Sequence, residues 1–269
     1  MDRKILFTDM DGTLLNDKKE ISEKVYRALK ELHDRGHILV FATGRPVGGV
    51  LATAEPLGIV FPGSYIIAYN GSLAYSIDDR KAVIEHTVSL DDVRIIMDEG
   101  HSLGIHVQTY EDDKIIAEDM DEELILYKKN IHIPHVIVPD ITSYLKKEPY
   151  KLLSIKMNNH SLLEELRERV LSKVGDRITA AYSNDNFLEF YPVSSGKGNT
   201  LADLCKYLGI PVANSAAVGD ERNDISMIKA AGLGCAVRNA VPEVKEAAKL
   251  VTQNDNNHDG ILELIEAFF

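Results

Sequence analysis

A doubly wound α/β fold, its parallel sheet interrupted by an inserted α+β domain, is predicted by three features of this 269-residue chain. Short uninterrupted apolar runs recur just ahead of polar turns, as in parallel strands buried on both faces. Segments with apolar residues at helical spacing follow those runs near both ends of the chain. Between residues 85 and 189 the texture changes to paired, alternating strands with helices between them, which reads as α+β. The expected organisation is therefore a core built from residues 1–84 and 190–269, and an insert of residues 85–189.

Composition narrows the class. Hydrophobic residues make up 45% and charged residues 27%, ordinary values for a chain able to bury a sizeable core. A formal net charge of −12, from 30 basic and 42 acidic residues, repels nucleic acid and anionic membranes. Neither is expected as a partner, and an anionic substrate must be met by local basic groups or a metal. The first residues lead directly into a strand, and no apolar run approaches membrane-spanning length, so a cytoplasmic monomer or homodimer is the simplest setting. Cys205 and Cys235, the only cysteines, sit in apolar stretches that suit buried thiols.

Residues 4–14, KILFTDMDGTL, anchor the prediction. An apolar strand runs into Asp9 and Asp11, at the carboxyl end where open α/β sheets gather ligands. Two carboxylates this close repel unless a cation or proton separates them. The pair reads either as a metal-binding nucleophile site or as an acidic turn capping a helix. Ser22 then precedes a helical stripe of Val25, Leu29 and Leu32, closed by Gly36. A second buried strand, residues 38–42, ends in Thr43-Gly44-Arg45-Pro46, with Pro46 suited to the first turn of the next helix. Gly44 and Gly49 have Walker-type spacing, but Val50 and Leu51 stand where Lys and Ser or Thr are required, so a nucleotide P-loop is excluded.

A third strand, residues 65–69, leads to Asn70-Gly71, and a hairpin follows over residues 72–77 and 82–86. In the insert, the pattern predicts helices over residues 89–103 and 162–173. It predicts strands over 105–110, 114–117, 152–157, 178–182 and 187–191. The core resumes at Ser194-Ser195-Gly196-Lys197-Gly198, which opens a helix with a lysine opposing its dipole, a poor choice for stability unless it faces an anion. Residues 216–224, AAVGDERND, form another apolar strand running into a dense acidic turn. Alternating strands and helices continue to the end, which implies double winding.

These four clusters all fall at predicted strand ends or helix starts, where a parallel sheet collects them in one crevice. Their donors are hard oxygens with a single lysine, a set suited to magnesium. The sequence resembles the haloacid dehalogenase-like phosphohydrolases, and among them the Cof-type sugar phosphatases with a large cap. Asp9-Met10-Asp11-Gly12-Thr13 matches the first motif of that family and Thr43-Gly44-Arg45 the second. Lys197 matches the third, and Gly219-Asp220-Glu221-Arg222-Asn223-Asp224 the fourth.

The resemblance implies a magnesium-dependent phosphatase acting on a small phosphate ester, most simply a sugar phosphate. It assigns nucleophilic attack to Asp9 and acid–base work to Asp11. It gives magnesium to the Asp9 side chain, the Asp11 carbonyl and Asp220, with Asp224 in support. Met10, Thr43, Gly44, Lys197 and Asn223 would surround the phosphate. Arg45 either touches substrate or pins the helix after it, and Asn70 is either a substrate contact or a plain Asn-Gly turn. Two rival readings remain, a sugar phosphomutase on the same fold and a non-catalytic sugar-phosphate sensor. The first would isomerise a hexose 1-phosphate, and the second would bind it without turnover. The acidic run at residues 118–123 reads as a solvated face, and His132 and His135 as unligated surface histidines.

Overall fold

The computed structural model describes every residue except Met1, Asp113, Ile131 and His132. The chain divides into two units, Met1–Glu85 with Ser195–Phe269, and His86–Ser194. The first flank contains β1 (Ile5–Thr8), α1 (Glu23–Asp34), β2 (Ile38–Ala42), α2 (Val47–Ala54), β3 (Tyr65–Ala68), β4 (Leu73–Ser76) and β5 (Lys81–Glu85). The second unit follows with α3 (Leu90–Leu103), β6 (His106–Glu111), β7 (Lys114–Ala117), α4 (Glu122–Asn130), β8 (His135–Ile137), α5 (Ile141–Tyr144), β9 (Leu152–Ile155), α6 (His160–Val174), β10 (Ile178–Asn184) and β11 (Phe187–Pro192). The chain then returns through α7 (Lys197–Tyr207), β12 (Ser215–Gly219), α8 (Ile225–Ala230), β13 (Leu233–Ala236), α9 (Pro242–Ala247), β14 (Leu250–Val251) and α10 (Ile261–Phe268).

The first unit is built on an eight-stranded sheet in the order β14-β13-β12-β1-β2-β3-β4-β5. Strands from β14 to β3 pair in parallel, and β4 and β5 add an antiparallel hairpin at one edge. Every residue of β1, β2 and β12 is buried, which is why these strands read as continuous apolar runs and not as alternating ones. Ser22 caps α1 by accepting the Val25 amide, and Val25, Leu29 and Leu32 form its buried stripe. Pro46 differs from expectation. It is the N-cap of α2, in extended conformation at ψ 161°, so the helix begins one residue later.

The second unit has a six-stranded sheet, β10-β11-β9-β6-β7-β8, antiparallel except for the β7–β8 pair. Helices α3 and α6 supply Val93, Ile96, Met97, Leu163, Leu166 and Val170 to a core shared with Leu152, Leu188 and Phe190 of the sheet. Strand β11 runs to Pro192, beyond the expected end of the insert at residue 189.

The acidic run of residues 118–123 is the expected solvated face only in part: Asp119, Met120 and Glu122 are exposed, and the other three acids are paired. Glu118 accepts the Ile141 amide at 2.8 Å and pairs with His101, Asp121 pairs with His106 at 2.8 Å, and Glu123 pairs with Lys156 at 3.2 Å. Asp121 also caps α4 by accepting the Leu124 amide. His135 is paired with Lys128, while His132 and Asp113 lie outside the described residues. Among the described residues, no helix is long and apolar enough to cross a membrane.

Candidate active site

The sheet order changes direction between β1 and β12: the chain steps from β1 to β2 and β3 on one side, and from β12 to β13 and β14 on the other. Such a switch point opens a crevice at the carboxyl ends of the strands. Asp9 is placed there because its amide donates to Val218 O at 3.0 Å, extending the β1–β12 pairing by one step. Asp220 follows the last residue of β12.

Lys197, on the first turn of α7, joins these ends. Its side chain is 0% exposed, and its ammonium lies 2.7 Å from Asp9 Oδ1 and 2.5 Å from Asp224 Oδ1. The other oxygen of Asp224 accepts the amides of Asp220 and Glu221 at 3.0 and 3.1 Å, so both its oxygens are used in shaping the loop and holding the lysine. Thr13 donates to Asp220 Oδ1 at 2.6 Å. Gly12 admits this approach, since a Cβ there would stand 2.5 Å from Asp220 Oδ2, and its φ of 77° is unfavourable to other residues.

Asp11 faces a different pair of partners. Arg45 binds it through two bonds, Nε to Oδ2 at 2.8 Å and Nη2 to Oδ1 at 2.6 Å, and Lys19 reaches Oδ1 at 2.6 Å. Arg45 also donates to Thr53 Oγ1 at 2.8 Å, so it pins α2 as well as the carboxylate. Lys19 and Thr13 were not among the expected site residues. Thr13 follows Gly12 directly and could have been picked out as a hydroxyl beside the carboxylates. Lys19 has no such signal, because it returns to Asp11 only through a turn in which its own φ is 63°.

Thr43 is buried at the end of β2, its amide bonded to Ile67 O and its hydroxyl accepting the Arg45 amide. Asn223 Nδ2 donates to Asn70 Oδ1 at 3.0 Å, and a Cβ on Gly44 would meet that same Asn70 oxygen at 3.0 Å. The second, third and fourth clusters therefore meet at this strand edge, beside the first. The Met10 side chain is wholly buried, which leaves only its backbone to face a ligand.

Burial prevails at Asp9 and Asp220. It pushes Asp9 up to about 8, with Lys197 opposing and Asp224 and Asp220 adding to the rise. It also pushes Asp220 up to about 6, against the Thr13 hydrogen bond. Lys197 is raised, because Asp224 and Asp9 outweigh the burial that would lower it. Asp11 is lowered: burial is overcome by Lys19 and Arg45. Asp9, Asp220 and Asp224 each offer an oxygen, all within 4.8 Å of one another. With one lysine among three carboxylates, full ionisation leaves an excess of two negative charges, which a divalent cation with a preference for hard oxygen donors would balance.

Fold and site together define a doubly wound α/β protein with a lysine-bridged acidic crevice at the switch point of its sheet. The chain belongs to the haloacid dehalogenase-like hydrolase family, whose model matches residues 6–265. It is 32% identical over 259 residues to YxeH of Bacillus subtilis (strain 168), covering 95% of this chain and 94% of that one. A second protein of that strain, the 5-amino-6-(5-phospho-D-ribitylamino)uracil phosphatase YitU, is 27% identical and is covered to 97%, with 98% of this chain matched. Among solved structures, a haloacid dehalogenase-like hydrolase from Bacteroides thetaiotaomicron superposes with a TM-score of 0.87 at 28% identity, over 100% of both chains.

Proposed function

We propose that this protein is a magnesium-dependent phosphatase of small phosphorylated metabolites, with sugar or sugar-alcohol phosphates as its substrate class, and that it works through an aspartyl-phosphate on Asp9. The observation that carries the reading is the buried Lys197 ammonium held between Asp9 and Asp224, with Asp220 alongside. The named substrate of YitU, a phosphorylated ribityl compound, supports the substrate class.

In this reading Asp9 attacks phosphorus as the ester oxygen departs, and Asp11 gives that oxygen a proton. Asp11 then takes a proton from water as the water attacks the same phosphorus and frees Asp9. Dividing one displacement into two lowers the barrier of each. Arg45 and Lys19 hold Asp11 ionised, the form that accepts the proton of water. The first step needs the protonated form, so the entering dianion must draw both cations away. Lys197, Thr43, Asn223 and the amides of Gly44 and Met10 would face the phosphoryl oxygens, the larger part of phosphoryl-transfer catalysis. Magnesium, held by the Asp9 and Asp220 side chains and the Asp11 carbonyl with Asp224 in support, would offset the charge on those oxygens.

The test is phosphate release from a panel of phosphorylated sugars, sugar alcohols and cofactors. Magnesium-dependent release is expected from several of them. No release from any member overturns the proposal.

A further inference from the structure

Immediately after β3, three successive residues have left-handed backbone: Tyr69 at φ 51°, Asn70 at 57° and Gly71 at 101°. Glycine takes such angles freely and asparagine with modest penalty, but a tyrosine there is strained. Strain of this kind persists only where the surroundings over-determine it. Here the surroundings are three of the four clusters.

The amides of Tyr69 and Asn70 donate to the carbonyls of Arg45 and Thr43, at 3.2 and 3.1 Å. Gly71 O accepts the Thr200 hydroxyl, and a Cβ on Gly71 would stand 2.2 Å from the Gly196 carbonyl carbon and 2.6 Å from Lys197 N. Asn70 Oδ1 holds Asn223 Nδ2 and borders Gly44. One short turn thus touches the loop after β2, the start of α7 and the loop after β12.

Resting on the phosphatase reading, we infer that this turn is the positioning element of the phosphate site, with Asn70 a positioning residue that aims the Asn223 carboxamide. Asn223 is exposed in the short 3-10 turn that leads into α8, where an unrestrained carboxamide would rotate. The Asn70 acceptor fixes one of its two N–H groups and so sets the direction of the other. Left-handed backbone at residue 70 is what brings that acceptor to the site, so conformation and function are coupled at one residue.

The experiment compares wild type, Asn70→Gly, Asn223→Ala and the double variant. It reads thermal midpoint, kcat and KM for magnesium-dependent hydrolysis of p-nitrophenyl phosphate, and affinity for inorganic phosphate with magnesium present. Glycine keeps the left-handed backbone without strain, which offsets its extra unfolded-state entropy, so Asn70→Gly should melt close to wild type. Its phosphate affinity and kcat/KM should nevertheless fall by about tenfold or more, because a misaimed donor costs catalysis out of proportion to the displacement. Asn223→Ala should match it, and the double variant should be no worse than either single one, as for two residues acting as a unit. Unchanged phosphate affinity in Asn70→Gly, losses that add in the double variant, or a fall in thermal midpoint parallel to the lost activity would each overturn the inference. A wild type that binds phosphate but hydrolyses no ester defeats the phosphatase reading alone, since the Asn70–Asn223 coupling is still decided by phosphate affinity. Absence of phosphate binding by wild type defeats both.

Discussion

The Lys197 ammonium stands 2.5 Å from Asp224 Oδ1, and both side chains are fully buried. Removing one member of such a pair leaves an uncompensated charge, at about 3–5 kcal/mol. Here Lys197→Met strands Asp9 as well, so a marked loss of stability is expected together with loss of at least about a hundredfold in kcat, the scale for deleting a donor to developing charge. Calorimetry and steady-state kinetics check the two parts separately. A variant that melts like wild type would show that the lysine is not what stabilises the acidic crevice.

Asp9→Asn should separate stability from activity in the opposite sense. Burial and the nearby Asp224 and Asp220 disfavour the Asp9 carboxylate, so a neutral side chain of the same shape relieves that penalty. The variant should melt at or above the wild-type temperature in metal-free buffer and release no phosphate. Retained turnover would remove Asp9 from its role.

Metal and pH effects should be linked. Asp9 and Asp220, at about 8 and about 6, stand above their ordinary value of 3.8, so each favours the folded state only while protonated. That contribution is complete below about pH 4 and is lost as pH rises through the two folded values. In chelator, the thermal midpoint should fall between about pH 5 and about pH 9. Magnesium should raise it, by more at pH 8 than at pH 5, because at the lower pH protons already occupy the site. An equal or larger magnesium effect at pH 5 would contradict the charge argument.

The second unit should be acid-labile through Asp92. Its carboxylate is 3% exposed, accepts Arg177 at 2.7 Å and the Ser89 hydroxyl at 2.8 Å, and is lowered because these bonds outweigh burial. A depressed carboxyl supplies stability above its unfolded value of 3.8, and that stability is lost as pH falls through the folded value. Protection of the α3 amides against hydrogen exchange, taken relative to the intrinsic rate at each pH, should therefore fall below about pH 4 in wild type. In Asp92→Asn that protection should be lower at neutral pH and respond less to acid.

Gly36 and Gly71 give a paired steric test. Both have positive φ, 85° and 101°, but a Cβ at 36 meets nothing within 4 Å, whereas one at 71 strikes Gly196. Gly36→Ala should cost about 1–2 kcal/mol, the left-handed penalty alone. Gly71→Ala should cost more and should also lower phosphate affinity, since α7 must shift to accept it. Equal effects at the two sites would mean that the approach to Gly196 carries no energy.

Much of the first unit was legible because its signals are local. The run from Ile38 to Ala42 is the observed β2, and Asp9, Thr43, Lys197 and Asp220 fall at element ends that punctuation in the sequence marks. What escaped depends on partners distant in the chain. Composition makes Glu118, Asp121 and Glu123 look solvated, because His101, His106 and Lys156 are supplied by other elements. The density of acids likewise hid the Leu124 and Tyr127 face of α4. Asn70 was visible as a turn former, but nothing local showed that its side chain reaches residue 223.

Because β1 pairs with β2 on one side and with β12 on the other, its second neighbour is not synthesised until about residue 215. A nascent chain on the ribosome therefore carries one edge of a wholly buried strand unpaired for most of translation. Such non-local closure is slow and exposes sticky intermediates, so yield in a host cell should depend on chaperone supply and growth temperature well before mature stability becomes limiting.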